Sequence, residues 1–360
     1  MSTAGSVLRV GSITSRFQSE APLHPAARAF LADAFDRGWA DPSKFHAESR
    51  RTAILLNEAK ELFSSHLGVR TSQIEFISDP ALGFHLGISG LLRDDSTFFY
   101  SAVDRSEVFA VAALHGSESL PVTLTGTAQY PQGAPHDVLA WQAVNGETGI
   151  VSAHPSNFAG RIFVDATSSG AQTSLPERWS TALWSSRNWE GPAGVSAFAI
   201  CDRATWRNPL PHFDQRISSS DLSIPLVMAS AIALEAHSRD YEQNRATLSS
   251  LNSRIREFLM NEISDVDIAG TLASTVPQLL SFSCLYIDAE RLVNELEGHG
   301  FSVDSGSACS SANMEPSHVL AAMGLLTHGN IRMTLHNATN VEEVERFLHT
   351  LKMIVEDLRE

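Results

Sequence analysis

The sequence predicts an α/β protein built on a mostly parallel β-sheet that is covered by helices. Two observations support this fold class. Stretches with apolar residues at helical spacing alternate along the chain with short apolar runs typical of strands, which is the pattern of parallel sheets. The length of 360 residues is enough for one large domain and a smaller one, each with its own hydrophobic core.

The first two thirds of the chain contain the elements of a central sheet. Residues 49–66 are expected to form a helix because Ile54, Ala59 and Phe63 fall on one face at helical spacing. Short apolar runs between turn residues indicate seven strands. Helices are predicted at 25–35, 49–66 and 82–92, and strands at 74–77, 98–103, 121–124, 138–144, 161–164, 183–185 and 195–200.

The last third predicts a second, smaller α/β unit. It contains long helices at 222–237 and 241–263, a strand at 279–285, a helix at 289–297, and strands near Phe301 and Ile331. The chain closes with an amphipathic helix, whose apolar stripe we interpret as core packing. The stripe consists of Val344, Phe347, Leu348, Leu351, Ile354, Val355 and Leu358. We therefore expect a large domain over 15–238 and a small domain over 239–360, with the N-terminal segment 1–14 joining the small one.

Composition excludes several classes of function. The 26 basic and 41 acidic side chains give a net charge of -15, which repels nucleic acid and anionic lipid. No apolar run approaches the ~20 residues that span a bilayer, and residues 1–17 lack the apolar core of a secretory signal. Three cysteines and no metal-ligand spacing among the histidines argue against a disulfide framework and a metal site. We expect a cytoplasmic protein with no membrane or nucleic-acid partner.

Several motifs carry a family resemblance. The most specific is Gly-Ser-Ala-Cys-Ser-Ser at 306–311, followed by Glu-Pro-Ser-His at 315–318. In their order along the chain, these motifs resemble the cysteine desulfurase group of the class V aminotransferase family. Shorter matching motifs are Asp-Pro-Ser at 41–43 with His46, Asn-Gly-Glu-Thr-Gly at 145–149, Val-Asp-Ala at 164–166, Gly-Pro-Ala-Gly at 191–194 and Ile-Arg at 331–332.

The resemblance implies a PLP-dependent transferase-like fold, with a mixed, mainly parallel seven-stranded sheet, and a homodimer with its pockets at the subunit boundary. It implies pyridoxal phosphate (PLP) as cofactor and Cys309 as the thiol that attacks the sulfur of substrate cysteine. Arg332 would capture the carboxylate of the substrate, for which the guanidinium fork is suited. The implied site residues are Arg332 and His46 for the substrate, and Asp165, Ser185, Arg187, Arg105, Asn188 and Asn145 for the cofactor.

The expected cofactor pocket departs from the family pattern at the residues that do its chemistry. Asn188 stands where the family has the lysine that binds PLP, and an amide cannot form a Schiff base. Arg105 replaces the histidine that stacks on the ring, and Arg187 replaces a histidine but keeps the ability to hold a phosphate. Lysine occurs only at three positions, of which Lys44, in the loop 41–46, is the one to consider as a replacement. The lysines are Lys44, Lys60 and Lys352.

Three more departures lie in the same predicted pocket. The phosphate loop has lost two glycines and a threonine, and Asp79 now stands at the start of a helix, where its charge opposes a phosphate. Gly146 replaces the second asparagine of the cofactor turn, and Ser168 replaces a glutamine. We expect Arg105 and Arg187 to converge on a new anion.

Three hypotheses follow for the function. The first is a cysteine desulfurase-like protein with altered or lost PLP chemistry. It acts through Cys309 and Arg332 on a small thiol or amino-acid ligand, or as a sulfur acceptor. The second is an enzyme that binds PLP or its amine form noncovalently. The third is a non-catalytic partner of an active desulfurase or of an iron–sulfur assembly protein.

Overall fold

The central sheet has seven strands, of which six run in one direction. The computed structural model describes residues 15–20, 22–37, 39–211, 222–306 and 316–360. The strand order is β2-β8-β7-β6-β5-β3-β4, and β8 runs opposite to the other six strands. This confirms the mixed, mainly parallel seven-stranded sheet. The strands of the N-terminal part are β1 (Ser15–Phe17), β2 (Ile74–Ile77), β3 (Phe98–Ser101), β4 (Ser117–Leu120), β5 (Val138–Gln142), β6 (Arg161–Asp165), β7 (Trp179–Ser185) and β8 (Ser196–Ile200).

Helices cover both faces of this sheet. Its helices are α1 (Pro25–Ala34), α2 (Ala47–Leu67), α3 (Pro80–Ser89), α4 (Ser106–Ala112) and α5 (Ile224–Arg239). On one face, Phe63 of α2 and Val227 of α5 share a buried cluster with sheet residues such as Val164. On the other face, Phe84 of α3 shares a second cluster with Phe163. Neighbours in one strand thus point to opposite faces, which explains why the strands read as continuous apolar runs.

One predicted strand is misplaced along the chain. The sequence predicts a strand at 121–124, whereas β4 occupies Ser117–Leu120 and Val122 makes only an isolated bridge with Ala128. β4 is one of the two edge strands, and Ser117, Glu118 and Ser119 are exposed. Since an edge strand needs no apolar run, the pattern gives no signal for it. The same holds for α4, whose seven residues are too few to show helical periodicity.

The C-terminal part forms a second core. A three-stranded antiparallel sheet, of order β12-β10-β9, packs with its helices around buried residues such as Ile255, Phe282 and Phe347. The apolar stripe of the last helix is buried in this core, which confirms its interpretation as core packing. The elements are α6 (Tyr241–Glu262), β9 (Val266–Ile268), β10 (Leu279–Cys284), α7 (Ala289–Gly298), β11 (Phe301–Val303), α8 (His318–Met323), β12 (Asn330–Thr334) and α9 (Val341–Arg359).

The N-terminal strand belongs to this second core. β1 pairs in parallel with β11, and the ring of Phe17 packs against Phe301 and Phe347. β1 thus contributes to the core of the C-terminal part, and the domain boundaries 15–238 and 239–360 stay a prediction. In the part of the chain that the structure describes, no helix is long and apolar enough to cross a membrane.

Truncating Phe17 should destabilise the protein. Phe17 is 1% exposed, and a Phe→Ala change in a core costs about 3–5 kcal/mol. We expect Phe17→Ala to lower the free energy of unfolding by about that amount in a urea titration. Met260→Ala, on the exposed side of α6, is the control and should stay within about 0.5 kcal/mol of the parent. Equal losses for the two variants would contradict the placement of β1.

Candidate active site

Polar residues from four loops meet at the carboxyl edge of the central sheet. β3, β5, β6 and β7 are parallel and end at this edge. Arg105 follows β3, Asn145 follows β5, Asp165 ends β6, and Asn188 lies in a 3₁₀ turn after β7. In sheets of this type, ligands bind at the carboxyl ends of the strands.

Asp165 is buried and faces the guanidinium of Arg105. Asp165 is 2% exposed, and its Oδ1 accepts hydrogen bonds from the backbone N–H and the hydroxyl of Thr167, at 2.8 and 2.6 Å. Its Oδ2 lies 3.3 Å from Arg105 Nε, although neither atom forms a hydrogen bond there. This contact is therefore an ion pair. The Nη2 of Arg105 donates to the hydroxyl of Ser168.

Three of the sequence departures are parts of one structural unit. A Cβ atom on Gly146 would lie 2.7 Å from Arg105 Nη2 and 2.7 Å from Ser168 Oγ. A side chain at position 146 would thus push the Arg105 guanidinium and the Ser168 hydroxyl out of these positions. Arg105 can reach Asp165 because residue 146 is glycine, and Ser168 supplies an acceptor for the arginine.

A second buried carboxyl group, that of Asp104, precedes Arg105 in the chain and feels the charges of both Asp165 and Arg105. Asp104 is 1% exposed, and its Oδ2 accepts a hydrogen bond from the Ser101 N–H at 2.7 Å. Burial raises the pKa of Asp104 to about 8. The Ser101 N–H and the charge of Arg105 oppose the rise, whereas the charge of Asp165 adds to it. At pH 7 Asp104 is therefore mainly protonated, so the positive charge of Arg105 compensates Asp165.

Asn145 is used to build its turn. Its Oδ1 accepts from the backbone N–H groups of Glu147 and Thr148 and from the Thr148 hydroxyl. Its Nδ2 donates to the Val103 carbonyl and to Gln142 Oε1. Both amide hydrogens are thus engaged, and the expected cofactor contact of Asn145 stays a prediction.

Asn188, at the position where the resemblance expects the lysine, uses its side-chain amide in a hydrogen bond. The Nδ2 of Asn188 donates to the Thr167 carbonyl at 2.6 Å. The Oγ of Ser185 caps the same turn by accepting from the Arg187 N–H at 3.4 Å. The three lysines lie elsewhere: Lys60 pairs with Glu75 at 3.0 Å, Lys352 pairs with Glu262 at 2.8 Å, and Lys44 is exposed in its loop.

The two arginines expected to converge have different partners. Arg187 is half exposed and lies 3.7 Å from Glu20, also half exposed, whereas Arg105 contacts the buried Asp165. The expected convergence of Arg105 and Arg187 on one anion stays a prediction. His46 is exposed and caps α2, with its Nδ1 accepting from the Ser49 N–H at 3.3 Å, so a role in substrate binding stays a prediction.

Arg332, the expected carboxylate-binding residue, already contacts a carboxylate. Its Nη2 lies 3.2 Å from Asp304 Oδ2, and both side chains are mostly buried. The backbones of the two residues are also paired, with N–H···O distances of 2.8 and 3.0 Å. Asp304 Oδ2 accepts a further hydrogen bond from the Ser19 N–H at 2.8 Å.

Glu147 lies at the base of the cysteine-containing loop. It is 9% exposed, and a Cβ atom on Gly306 would lie 2.5 Å from its Oε1. Burial raises the pKa of Glu147, while the Ser317 hydroxyl and the charges of Arg332 and His318 lower it. Glu147 stands within the motif 145–149 and Asp304 lies two residues before the motif 306–311, but no pattern along the chain marks either of them as a neighbour of Arg332.

Of the three cysteines, two can be described. Cys309 lies outside the described residues. Cys284 is buried, and burial raises the pKa of its thiol to about 11. Cys201 is partly exposed, and burial raises its pKa too. The described part of the chain contains no group of three His, Cys, Asp or Glu side chains placed to hold a metal ion.

These contacts do not fit PLP in the form that the resemblance implies. A pyridinium nitrogen needs the Asp165 carboxylate, which Arg105 already faces. A phosphate at the N-terminus of α3 would meet the carboxylate of Asp79, which caps this helix through the Ala81 N–H at 2.9 Å. An aldimine needs a lysine, and position 188 offers an amide.

Comparison with known proteins agrees with the fold and the motifs. Residues 221–347 match the family Aminotransferase class-V. A cysteine desulfurase IscS of Dictyoglomus turgidum is 28% identical, over 94% of this chain and 92% of the relative. Of the solved structures, a NifS-like protein has a TM-score of 0.82 at 20% identity, over 95% of this chain and 99% of that one. The chain is thus similar to cysteine desulfurases over nearly its whole length, and its residues 221–347 match the class V aminotransferase family.

Two further proteins are similar to this chain over most of their length. A cysteine desulfurase of Nostoc is 24% identical, over 89% of this chain and 87% of the relative. The NifS-like protein from Rickettsia africae has a TM-score of 0.84 at 16% identity, over 95% of this chain and 99% of that one. The PLP-dependent transferase-like fold is thereby confirmed, and the family implies PLP as cofactor. At this level of identity, the chemistry must be argued from the residues.

The protonated state of Asp104 predicts a pH-dependent stability. Its folded pKa, about 8, is above its ordinary value of 3.8. Between these values, the unfolded chain has released a proton that the folded protein keeps, so stability falls as pH rises, by at most about 1.4 kcal/mol per pH unit. Asp104→Asn keeps an acceptor for the Ser101 N–H and cannot ionise. From pH 5 to pH 7, we expect this variant to gain about 2 kcal/mol relative to the parent in urea titrations.

Asp94→Asn, at an exposed carboxylate, is the control for this titration and should follow the parent at both pH values. A constant difference between Asp104→Asn and the parent at pH 5 and pH 7 would show that Asp104 is ionised in the folded protein.

Proposed function

We propose that this protein is a sulfur acceptor of the cysteine desulfurase type that works without PLP. The observation that carries the proposal is the ion pair of Asp165 and Arg105. The cation that a buried Asp165 requires is supplied by the chain itself, at the position where the resemblance expects a cofactor ring. Asn188 removes the lysine from the same pocket. The thiol motif at 306–311 is nevertheless retained in full.

The chemistry left to such a protein is transfer of sulfur between thiols. The Cys309 thiolate attacks the outer sulfur of a donor persulfide, R–S–SH. A bond forms between the Cys309 sulfur and that sulfur, the S–S bond of the donor breaks, and the donor leaves as the thiolate R–S⁻. The product is a persulfide on Cys309. The step conserves electrons, because one S–S bond replaces another, and therefore needs no oxidant and no cofactor.

The first test is loading of Cys309 by a small persulfide donor. We expect intact-mass analysis to show the addition of one sulfur atom, and peptide mapping to place it on Cys309. The other thiols are internal controls, because burial raises the pKa of Cys201 and of Cys284, which lowers their thiolate fraction. Cys309→Ala should abolish loading and Cys201→Ala should not. Loading that is unchanged in Cys309→Ala would contradict the proposal.

The second test is a PLP titration followed by visible absorption, borohydride reduction and intact mass. The parent protein should show no new visible band. Asn188→Lys alone should bind PLP poorly, since Arg105 still faces Asp165. The double variant Arg105→His/Asn188→Lys should gain both the band and the added mass. Arg187→His/Asn188→Lys is the matched control, because the ion-pair partner of Arg187 is the exposed Glu20 and not Asp165, and it should behave like Asn188→Lys.

A visible band in the parent protein would contradict the loss of PLP. If that band came without covalent mass, noncovalent cofactor use would become the better account. Covalent mass that mapped to Lys44 would mean that a different lysine has taken over the Schiff base.

We further propose a cytoplasmic homodimer that receives sulfur from a desulfurase or passes it to an iron–sulfur assembly protein. The support for this is the family resemblance, together with the exposed apolar side chains of Phe35, Phe45 and Ile54 in and around α1 and α2. A homodimer interface would remove these apolar side chains from water.

A further inference from the structure

A small polar cluster joins the part built on the central sheet to the second core. Glu190, at the end of the 3₁₀ turn after β7, and His237, in the last turn of α5, belong to the central-sheet part. Asn337, in the loop between β12 and α9, belongs to the second core. Asp240 alone separates α5 from α6, so the chain passes from one part to the other beside this cluster.

Asn337 faces groups of the central-sheet part with its N–H donors. Its Nδ2 lies 3.4 Å from Nδ1 of His237. Burial raises the pKa of Glu190, whereas hydrogen bonding from the backbone N–H and the side-chain amide of Asn337, and the charge of His24, lower it. A carboxylate only accepts, so the NH₂ group of Asn337, and not its oxygen, points into the cluster. His237 Nδ1 must then accept from Asn337, which is possible only while Nδ1 carries no proton.

The surroundings of His237 favour the uncharged ring. Burial and the charge of His24 lower the pKa of His237, and the charge of Asp240 offsets part of this effect. His24 is held at this place because its backbone N–H donates to the Glu190 carbonyl at 2.8 Å. On the side of α6, the ring of Tyr241 lies 6.2 Å from the ring of His237, measured between centroids. Protonation of His237 would thus introduce a charge that the cluster disfavours.

A second histidine joins the two parts in a way that protonation leaves intact. His318, at the start of α8, places its Nε2 2.9 Å from the backbone carbonyl of Asp104. Because a carbonyl can only accept, His318 donates in this contact, and a charged imidazole still donates from both nitrogens. Acid therefore acts against the contact of His237 and not against that of His318.

We propose that His237 is a pH-sensitive switch between the two parts of the protein: without a proton it binds Asn337, and with a proton it releases it. Release frees the loop after β12, the strand that carries Arg332, from α5, which packs on the sheet that carries Asp165. The junction beside the candidate site is thereby loosened in acid. The inference is independent of the proposed sulfur transfer, because it uses none of the residues of that reaction.

Proton linkage sets the size of the effect. The pKa of His237 in the bound state is lower than the ordinary value of 6.5, so the released state binds the proton more readily. The bound state therefore loses stability as pH falls below about 6.5. Between pH 7.5 and pH 5.5, the equilibrium shifts toward release by at most about tenfold.

The test is hydrogen exchange of the full-length protein, measured by mass spectrometry at pH 7.5 and pH 5.5 and corrected for the intrinsic exchange rate at each pH. We expect protection of peptides over 335–340 to fall about fivefold to tenfold in the parent at pH 5.5. His237→Gln keeps an acceptor for Asn337 and takes up no proton, so protection should change by less than about twofold. His318→Gln keeps a donor for the Asp104 carbonyl, is the matched control and should show the parent's fall.

Asn337→Ala removes the donor and should give low protection at both pH values, which keeps the test decisive if His237→Gln does not fold. Equal protection of the parent at the two pH values would overturn the inference. A fall that persists in His237→Gln would also overturn it, because the titrating group would then be another one, such as Glu190. High protection of Asn337→Ala at pH 7.5 would show that the contact does not hold the loop.

Discussion

The ion pair between Asp165 and Arg105 is the contact on which the rest of the candidate site depends. Asp165 ends β6 in the middle of the sheet and is almost fully buried, so its charge needs a nearby cation. Arg105 provides the cation from the start of α4. Gly146 provides the space for it, and Ser168 an acceptor for one of its N–H groups. Four residues from three separate segments of the sequence are thus explained by one electrostatic requirement.

Charges at two other positions of the candidate site are also compensated by residues of the protein itself. Arg332 is paired with Asp304, and the N-terminus of α3 is capped by the carboxylate of Asp79. Each position that the resemblance assigns to a charged part of a ligand already faces the opposite charge from the protein. A ligand would have to replace these contacts, which lie in a partly buried setting where charge-assisted contacts are strong. This is the physical basis for proposing thiol chemistry in place of cofactor chemistry.

Sequence patterns predicted most of the fold, because strands buried on both faces, such as β5 and β8, appear as continuous apolar runs. They failed for β4, an exposed edge strand with three polar residues, and for the short helices α4 and α8, which contain too few turns to show a period. The site was predicted less well. The hydrogen bonds of Asn145 stabilise its own turn. Glu147 and Asp304 were missed, because residues that become neighbours only on folding leave no local pattern in the chain.

The sequence by itself determined the fold class, the family resemblance, the thiol motif at 306–311 and the replacement of a lysine by Asn188. These depend on residue identity and spacing, which the chain carries directly. Only the tertiary structure decided that Arg105, Gly146 and Ser168 form one unit around Asp165, and that Asp304 faces Arg332. The reason is that parallel strands bring separate loops to one edge of the sheet, so the partner of a buried charge is chosen by the fold and not by its neighbours in the chain.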